Sequence, residues 1–541
     1  MSEKNILIIH LSRLGDMIQS LPAVKLLKED YPGSTITYLG IEDFCHLLKD
    51  NPFIDNLVTL PWHEIGNLIG GNDGINMDAL DCLYEAIPEL HKKYDLLINM
   101  THTESSGYLC EKIAAAEKKG RGFTQDNEIT VSGNWAKYLF AIAKNRRDNL
   151  LNLADIYVGM AGVKNRPVEN FLTIDTDIDN HCKAHLINLG LKEDKLSVAF
   201  QLGASKSTRM WPIDYFVRLG KDLIEHLDAQ VILIGSEQER VLVEQFREAA
   251  PYPLIDLVGK TTLNELASSL RHIDVLVSND TGPMHIAAAV GTKIVGIFSG
   301  TAHYSLTGPY GEGHVVVQSN YPCAPCIDST VCANPLCRYS ILPDTVERGI
   351  RLALNADEDI WSNDSDVSIY KSFFHNNGTL RYGLINRNNG NFLTRLSSIH
   401  DLKGLISQML WDEWLCLESD LCDFHSSDDD CMLPDMIGNF KKACLCHRQI
   451  YDRGTDACNT IIKEFRKTTP DIPRIQKMIQ EIQRVEEDIK NLESPLSFFK
   501  DIHEFHISET KMCNFPKLAY EFRNKYNNLT KVIHCFYSRL E

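Results

Sequence analysis

The sequence predicts an α/β protein in which two doubly wound units face a cleft, followed by a mainly α-helical C-terminal region. Two observations carry the α/β part: a strand, glycine-bearing loop and helix open the chain, and the same pattern restarts at residue 197. A third concerns the remainder, where the strand-and-helix rhythm fades after about residue 355.

The first unit spans residues 1–180. Residues 4–10 form a β-like run; the loop Leu11-Ser12-Arg13-Leu14-Gly15-Asp16 follows, then a helical pattern through Leu21, Val24, Leu26 and Leu27 to Tyr31. Thr35–Tyr38 and Tyr94–Asn99 supply further strands, with helical segments between them. The second unit spans residues 181–355. It runs from Ser197–Gln201 through a loop to Arg209-Met-Trp-Pro212, an amphipathic helix from Ile213 to about Leu227, and the strand Val231–Ile234. A helix near Leu263–Leu270 and strands at 275–278 and 293–298 complete it. Residues 356–541 form the helical region; its clearest piece, Arg474–Leu492, spaces Ile475, Met478, Ile482, Val485, Ile489 and Leu492 alternately three and four apart, a short seam better explained as core than as an oligomer contact.

At 541 residues the chain exceeds one ordinary core, and 44% hydrophobic with 24% charged residues is a globular composition. A formal net charge of −18 argues against a protein that works on the nucleic-acid backbone. The apolar run Ile6–Ile9 is interrupted by His10 and Arg13 and lacks a cleavage pattern, so no signal peptide is expected. No apolar stretch reaches the length of a membrane span, which leaves peripheral contact open. The expectation is a cytoplasmic protein, its sixteen cysteines largely reduced, with a place at the inner face of the inner membrane and oligomerisation both open.

Chemistry concentrates on three loops. Val275–Ala289 reads as strand, turn and helix: Gly282 allows backbone to approach a ligand, Pro283 suits the first helical position, and free N–H groups of the first turn favour an anion. Asp280 there would repel phosphate and suits sugar hydroxyls, while Thr281 and His285 can donate hydrogen bonds. A capped helix with nothing bound is the plain alternative. Asp16, at the carboxyl end of the first sheet, is either a general base or the N-cap of a helix beginning at Met17; Arg13 pairs with it or reaches a phosphate. Gly203–Arg209 brings Lys206 and Arg209 to the corresponding edge of the second sheet, where they can grip a diphosphate or merely face solvent.

Leu11–Asp16 with Pro22, the loop Gly203–Arg209 with Trp211-Pro212, and Ser278–Pro283 with His285 and Ala287-Ala288 together resemble the bacterial ADP-heptose heptosyltransferases, glycosyltransferase family 9, over roughly residues 4–350. The resemblance implies a GT-B fold of two Rossmann-like domains, the first acceptor-side and the second donor-side. It also implies inverting transfer of a heptose or related sugar from ADP-heptose to a hydroxyl on lipopolysaccharide, another glycan or a protein. Asp16 would be the general base. Lys206, Arg209, Arg13, Thr281, Gly282 and His285 would serve the donor phosphates and Asp280 the sugar, with no cofactor or metal required for catalysis. Two segments depart from the family: its Pro-Gly-Ala is Leu202-Gly203-Ala204 here, and its Phe-Gly-Pro-Thr-Asp is Phe298-Ser299-Gly300-Thr301-Ala302, which lacks the acidic residue. Other readings of the same architecture are a nucleotide-sugar epimerase or hydrolase, and a non-catalytic nucleotide-sugar-binding scaffold.

Cys323, Cys326, Cys332 and Cys337 place four thiols within fifteen residues, dense enough for a structural iron or zinc, although reduced thiols or a local disulfide are equally open. Relatives with cysteine-bearing loops that glycosylate autotransporter proteins are associated with iron. Cys444-x-Cys446-His447 is better explained by packing.

Overall fold

The computed structural model describes residues 3–385, apart from 62–69, 72–73, 124–128, 143–145, 147–148, 150, 322, 327–331, 333–334, 356–365 and 376–377, together with isolated helical residues between 452 and 488. Met1–Gly122 and Leu150–Arg395 form one compact unit; Phe123–Asn149 and Leu396–Glu541 form another.

In the first unit, five parallel strands of the N-terminal sheet lie in the order Asn56–Leu60, Thr35–Ile41, Asn5–His10, Tyr94–Asn99, Ala115–Phe123. Parallel strands covered on both faces demand continuous apolar runs, and Ile6, Leu7, Ile8 and Ile9 are all fully buried. The order of chain travel reverses beside Asn5–His10, so the loop after that strand opens at a switch point where doubly wound sheets bind ligands.

The second sheet repeats the plan. Ile255–Asp256, Gln230–Ile234, Ser197–Gln201, Val275–Asn279, Lys293–Phe298 and Val315–Ser319 are parallel and in that order. Its switch point falls between Ser197–Gln201 and Val275–Asn279, and both glycine-bearing loops leave from there. Helix Ile213–Leu227 has the bounds read from its periodicity, burying Phe216, Leu219 and Leu223 against the sheet.

The sheet does not stop at residue 355. Val367–Phe374 and Leu380–Leu384 extend it as two antiparallel strands, so this part of the region assigned to helix is β. The run Val-Ser-Ile-Tyr-Lys-Ser-Phe-Phe is rich in β-branched and aromatic residues, and as the outer part of a sheet it needs no crossover helix to announce it.

Two helix starts also differ from expectation. The first helix runs Leu14–Asp30 with extended Arg13 at its N-cap, and Met17 N donates to Arg13 O at 3.0 Å. Asp16 is therefore a first-turn residue, and the capping role is excluded. The helix Gly282–Val290 begins one residue early, which makes Pro283 its second residue.

The first helix packs on Leu153–Ala161 and on Gly282–Val290, joining the two halves. Asn152 Nδ2 donates to Gly308 O at 2.9 Å, and buried Asp155 accepts from Leu380 N at 2.8 Å, so the connecting helix is bonded to the second half at its N-terminus.

In the other unit, Ile129–Ser132 is a strand and Asn134–Ile142 a helix. Within Arg474–Leu492, residues 477, 480, 481, 484, 485 and 488 are helical and Val485 is buried; the rest of that seam and Cys444, Cys446 and His447 lie outside the described residues.

Candidate active site

Two turns, one from each sheet, meet at the helix N-termini. A Cβ on Gly15 would come within 2.7 Å of His285 Cδ2, and one on Gly282 within 2.9 Å of Leu14 Cδ2. Glycine at both positions is what lets the turns touch, and it brings Asp16 to the same place as Asp280.

Asp280 is almost fully buried and paired. Arg209 Nη1 donates to its Oδ2 at 2.9 Å, and Arg209 Nε donates to Thr301 Oγ1 at 2.6 Å. His285 Nε2 lies 3.9 Å from the other carboxylate oxygen. Burial pushes the His285 imidazole down to about 4, against the pull of Asp280, so the ring is neutral at pH 7 and any ligand contact is a hydrogen bond without a charge.

Asp16 is partly buried. Burial is the largest influence on its carboxyl and raises it to about 6; Arg13 pulls it down, Asp280 pushes it up, and Arg209 and a backbone hydrogen bond at Arg13 pull it down again. A base with this value is substantially ionised at neutral pH yet retains affinity for a proton. The electrostatic partners are themselves a map: Arg13, Arg209 and Asp280 all act on Asp16.

Lys206 precedes a short 3-10 turn, Ser207–Arg209, and Arg209 ends it. Arg13 is exposed. Thr281 occupies the N-cap of Gly282–Val290 without capping it; its hydroxyl lies 3.1 Å from Ser278 Oγ. The helix therefore keeps first-turn N–H groups uncapped by that side chain, as an anion site requires. Of the residues singled out for donor and base, Arg13, Asp16, Arg209, Asp280 and His285 are thus linked to one another by contact or charge, and Lys206 lies on the turn that carries Arg209.

Two residues here were not legible as functional. Asn279 is fully buried: its Oδ1 accepts from Trp211 N at 3.0 Å, and its Nδ2 faces the Leu202 and Gly203 carbonyls at 3.1 Å each. It moors the loop that carries Lys206 and Arg209. A buried amide at a strand end must find such partners, but the sequence does not say which. Thr301 lies in the segment that departs from the family pattern, and its partner Arg209 is 92 residues away in sequence.

Cys323, Cys326, Cys332 and Cys337 are free thiols. Burial raises the Cys337 thiol, and Cys323 and Cys332 raise it further, so the three are neighbours. Among the described residues, however, no three His, Cys, Asp or Glu side chains are grouped to hold a metal ion. The loop touches the site through Cys326 N, which donates to Gly300 O at 2.7 Å. No described helix is long and apolar enough to cross a membrane.

Comparison with known proteins bears on the family and the fold. Residues 86–336 match the model of glycosyltransferase family 9 (heptosyltransferase). The chain is 25% identical over 293 residues to lipopolysaccharide heptosyltransferase 3 of Escherichia coli, covering 53% of this chain and 80% of that protein. It is 26% identical over 315 residues to the lipopolysaccharide core heptosyltransferase OpsX of Haemophilus influenzae, covering 57% and 82%. The crystal structure of the glycosyl transferase family 9 protein from Veillonella parvula superposes with a TM-score of 0.53 at 23% identity, covering 66% of this chain and 98% of that one. That likeness is one of fold, and the fold is GT-B. With two such sheets, a family match over residues 86–336 and relatives spanned over most of their length, this chain is a glycosyltransferase that carries a glycosyltransferase family 9 domain.

Proposed function

We propose that the enzyme transfers a heptose from ADP-heptose, with inversion at the anomeric carbon, to a hydroxyl of a lipopolysaccharide core glycan. The observation that carries this is the position of Asp16, whose carboxyl feels both Asp280 and Arg209: base and donor residues share one site. The two lipopolysaccharide heptosyltransferases named above support the sugar and the acceptor class.

In this reading the acceptor hydroxyl gives its proton to Asp16 as its oxygen attacks the anomeric carbon. The bond from that carbon to the diphosphate breaks on the opposite face, and its electron pair leaves with ADP. Arg209, Lys206, Arg13 and the N-terminal N–H groups at Thr281 and Gly282 receive the growing charge. Asp280 holds sugar hydroxyls and His285 supplies a neutral hydrogen bond on the phosphate side. Cations and a helix terminus thereby take the part a divalent metal plays elsewhere. The first half is the acceptor side and the second the donor side.

A thermal-shift screen of ADP-heptose beside UDP- and GDP-sugars tests the donor, since a ligand bound to the native state raises the melting point. A selective rise with ADP-heptose, followed by transfer to heptose-deficient core glycan, is the expected result; a shift with another nucleotide sugar alone would overturn the donor assignment.

A structural iron or zinc on Cys323, Cys326, Cys332 and Cys337 is a separate proposal, supported by the density of four thiols within fifteen residues of sequence. Metal analysis of anaerobically prepared protein, beside a C323S/C326S variant, decides it; metal-free wild type would end the idea.

A further inference from the structure

We propose that Thr301 is the positioning residue of the donor site: it fixes the plane of the Arg209 guanidinium so that the remaining N–H groups face the leaving diphosphate. The inference rests on the phosphate role assigned above to Arg209 and adds what orients that side chain.

The geometry is specific. Arg209 spends Nε on Thr301 Oγ1 at 2.6 Å and Nη1 on Asp280 Oδ2 at 2.9 Å. One contact alone would leave a planar guanidinium free to swivel about it; two contacts to different elements set its plane and leave further donors on the fork. Thr301 is itself held firmly. It is buried, and it follows Gly300, whose φ of 61° is strained for any other residue. A Cβ on Gly300 would meet Thr208 O at 2.8 Å, and Ser299 Oγ donates to the same carbonyl at 3.4 Å. Ser299, Gly300 and Thr301 therefore clasp the 207–209 turn, and Gly300 O is tied to Cys326 N behind them.

The arrangement also separates arginine from lysine at position 209. An ammonium is a point donor on a flexible stem and has no counterpart of the Nε–H that Thr301 accepts. Thr301 should thus matter to Arg209 and not to a lysine in its place, a difference no merely structural role would produce.

The experiment is a double-mutant cycle of Thr301→Val and Arg209→Lys, with Thr301→Ser as the conservative variant, read as kcat and KM for ADP-heptose and as ADP affinity by calorimetry. Circular-dichroism melting checks that each variant is folded. Thr301→Val should lower kcat roughly ten- to a hundredfold, with a smaller change in KM, because the lost hydrogen bond is charged. Thr301→Ser should restore the wild-type values to within a few fold, and Thr301→Val should have little further effect once Arg209 is lysine. Folded Thr301→Val with wild-type kcat, or an equal loss in both backgrounds, overturns the positioning role alone. Failure of the wild-type chain to bind ADP or turn over ADP-heptose overturns the donor reading and this inference with it.

Discussion

Arg209 Nη1 and Asp280 Oδ2 stand 2.9 Å apart with both side chains largely buried, so the residue assigned to phosphate and the residue assigned to sugar are one ion pair. Removing either partner strands a charge in a site that cannot hydrate it. Asp280→Ala should therefore cost about 3–5 kcal/mol of stability as well as donor affinity, whereas Asp280→Asn, which keeps an acceptor, should cost less. Chemical denaturation beside calorimetric ADP titration checks both; an Asp280→Ala protein with unchanged stability and donor affinity would contradict the pairing.

The pH dependence follows from Asp16. A base works when ionised, and this carboxyl is raised to about 6, chiefly by burial. Transfer should fall on the acid side as pH drops through that value and level off above it. Asp280→Asn removes a neighbour that raises the carboxyl, so its acid limb should move to lower pH. Arg13→Gln removes one that lowers it, so its limb should move to higher pH. Profiles of kcat/KM for the three proteins test the signs.

Asn279 holds Trp211 N and the carbonyls of the donor loop with one buried amide. Asn279→Ala leaves these groups unpaired and should cost about 3 kcal/mol, since each buried orphan loses its partner. Its effect on ADP affinity should exceed that of an exposed control such as Lys221→Ala, measured on the same enzyme.

Gly300→Ala should be destabilising by about 2 kcal/mol, both through its left-handed backbone and through contact with Thr208 O. Because the strain falls on the clasp around Arg209, ADP affinity should drop together with the melting temperature.

Much of this was legible in the sequence because parallel strands buried on both faces announce themselves as apolar runs, and their carboxyl ends place the following loops. Ile6–Ile9 and Val275–Ser278 located Asp16 and Asp280 in this way. The N-cap position was less legible: Asp16 suits a cap by residue type, yet the helix starts at Leu14 because extended Arg13 already offers the first carbonyl. Val367–Phe374 and Leu380–Leu384 are not legible as strands, since antiparallel strands at the edge of a sheet carry no alternating helix. Asn279 and Thr301 act through partners 68 to 92 residues distant in sequence, and local pattern holds no record of such pairings.

The most direct test of the account is Asp16→Ala measured for both donor binding and transfer. ADP affinity should stay within a few fold of wild type and transfer from ADP-heptose should fall by about a thousandfold or more, because the base is lost while the phosphate grip remains. Wild-type-like turnover in that variant would contradict the account.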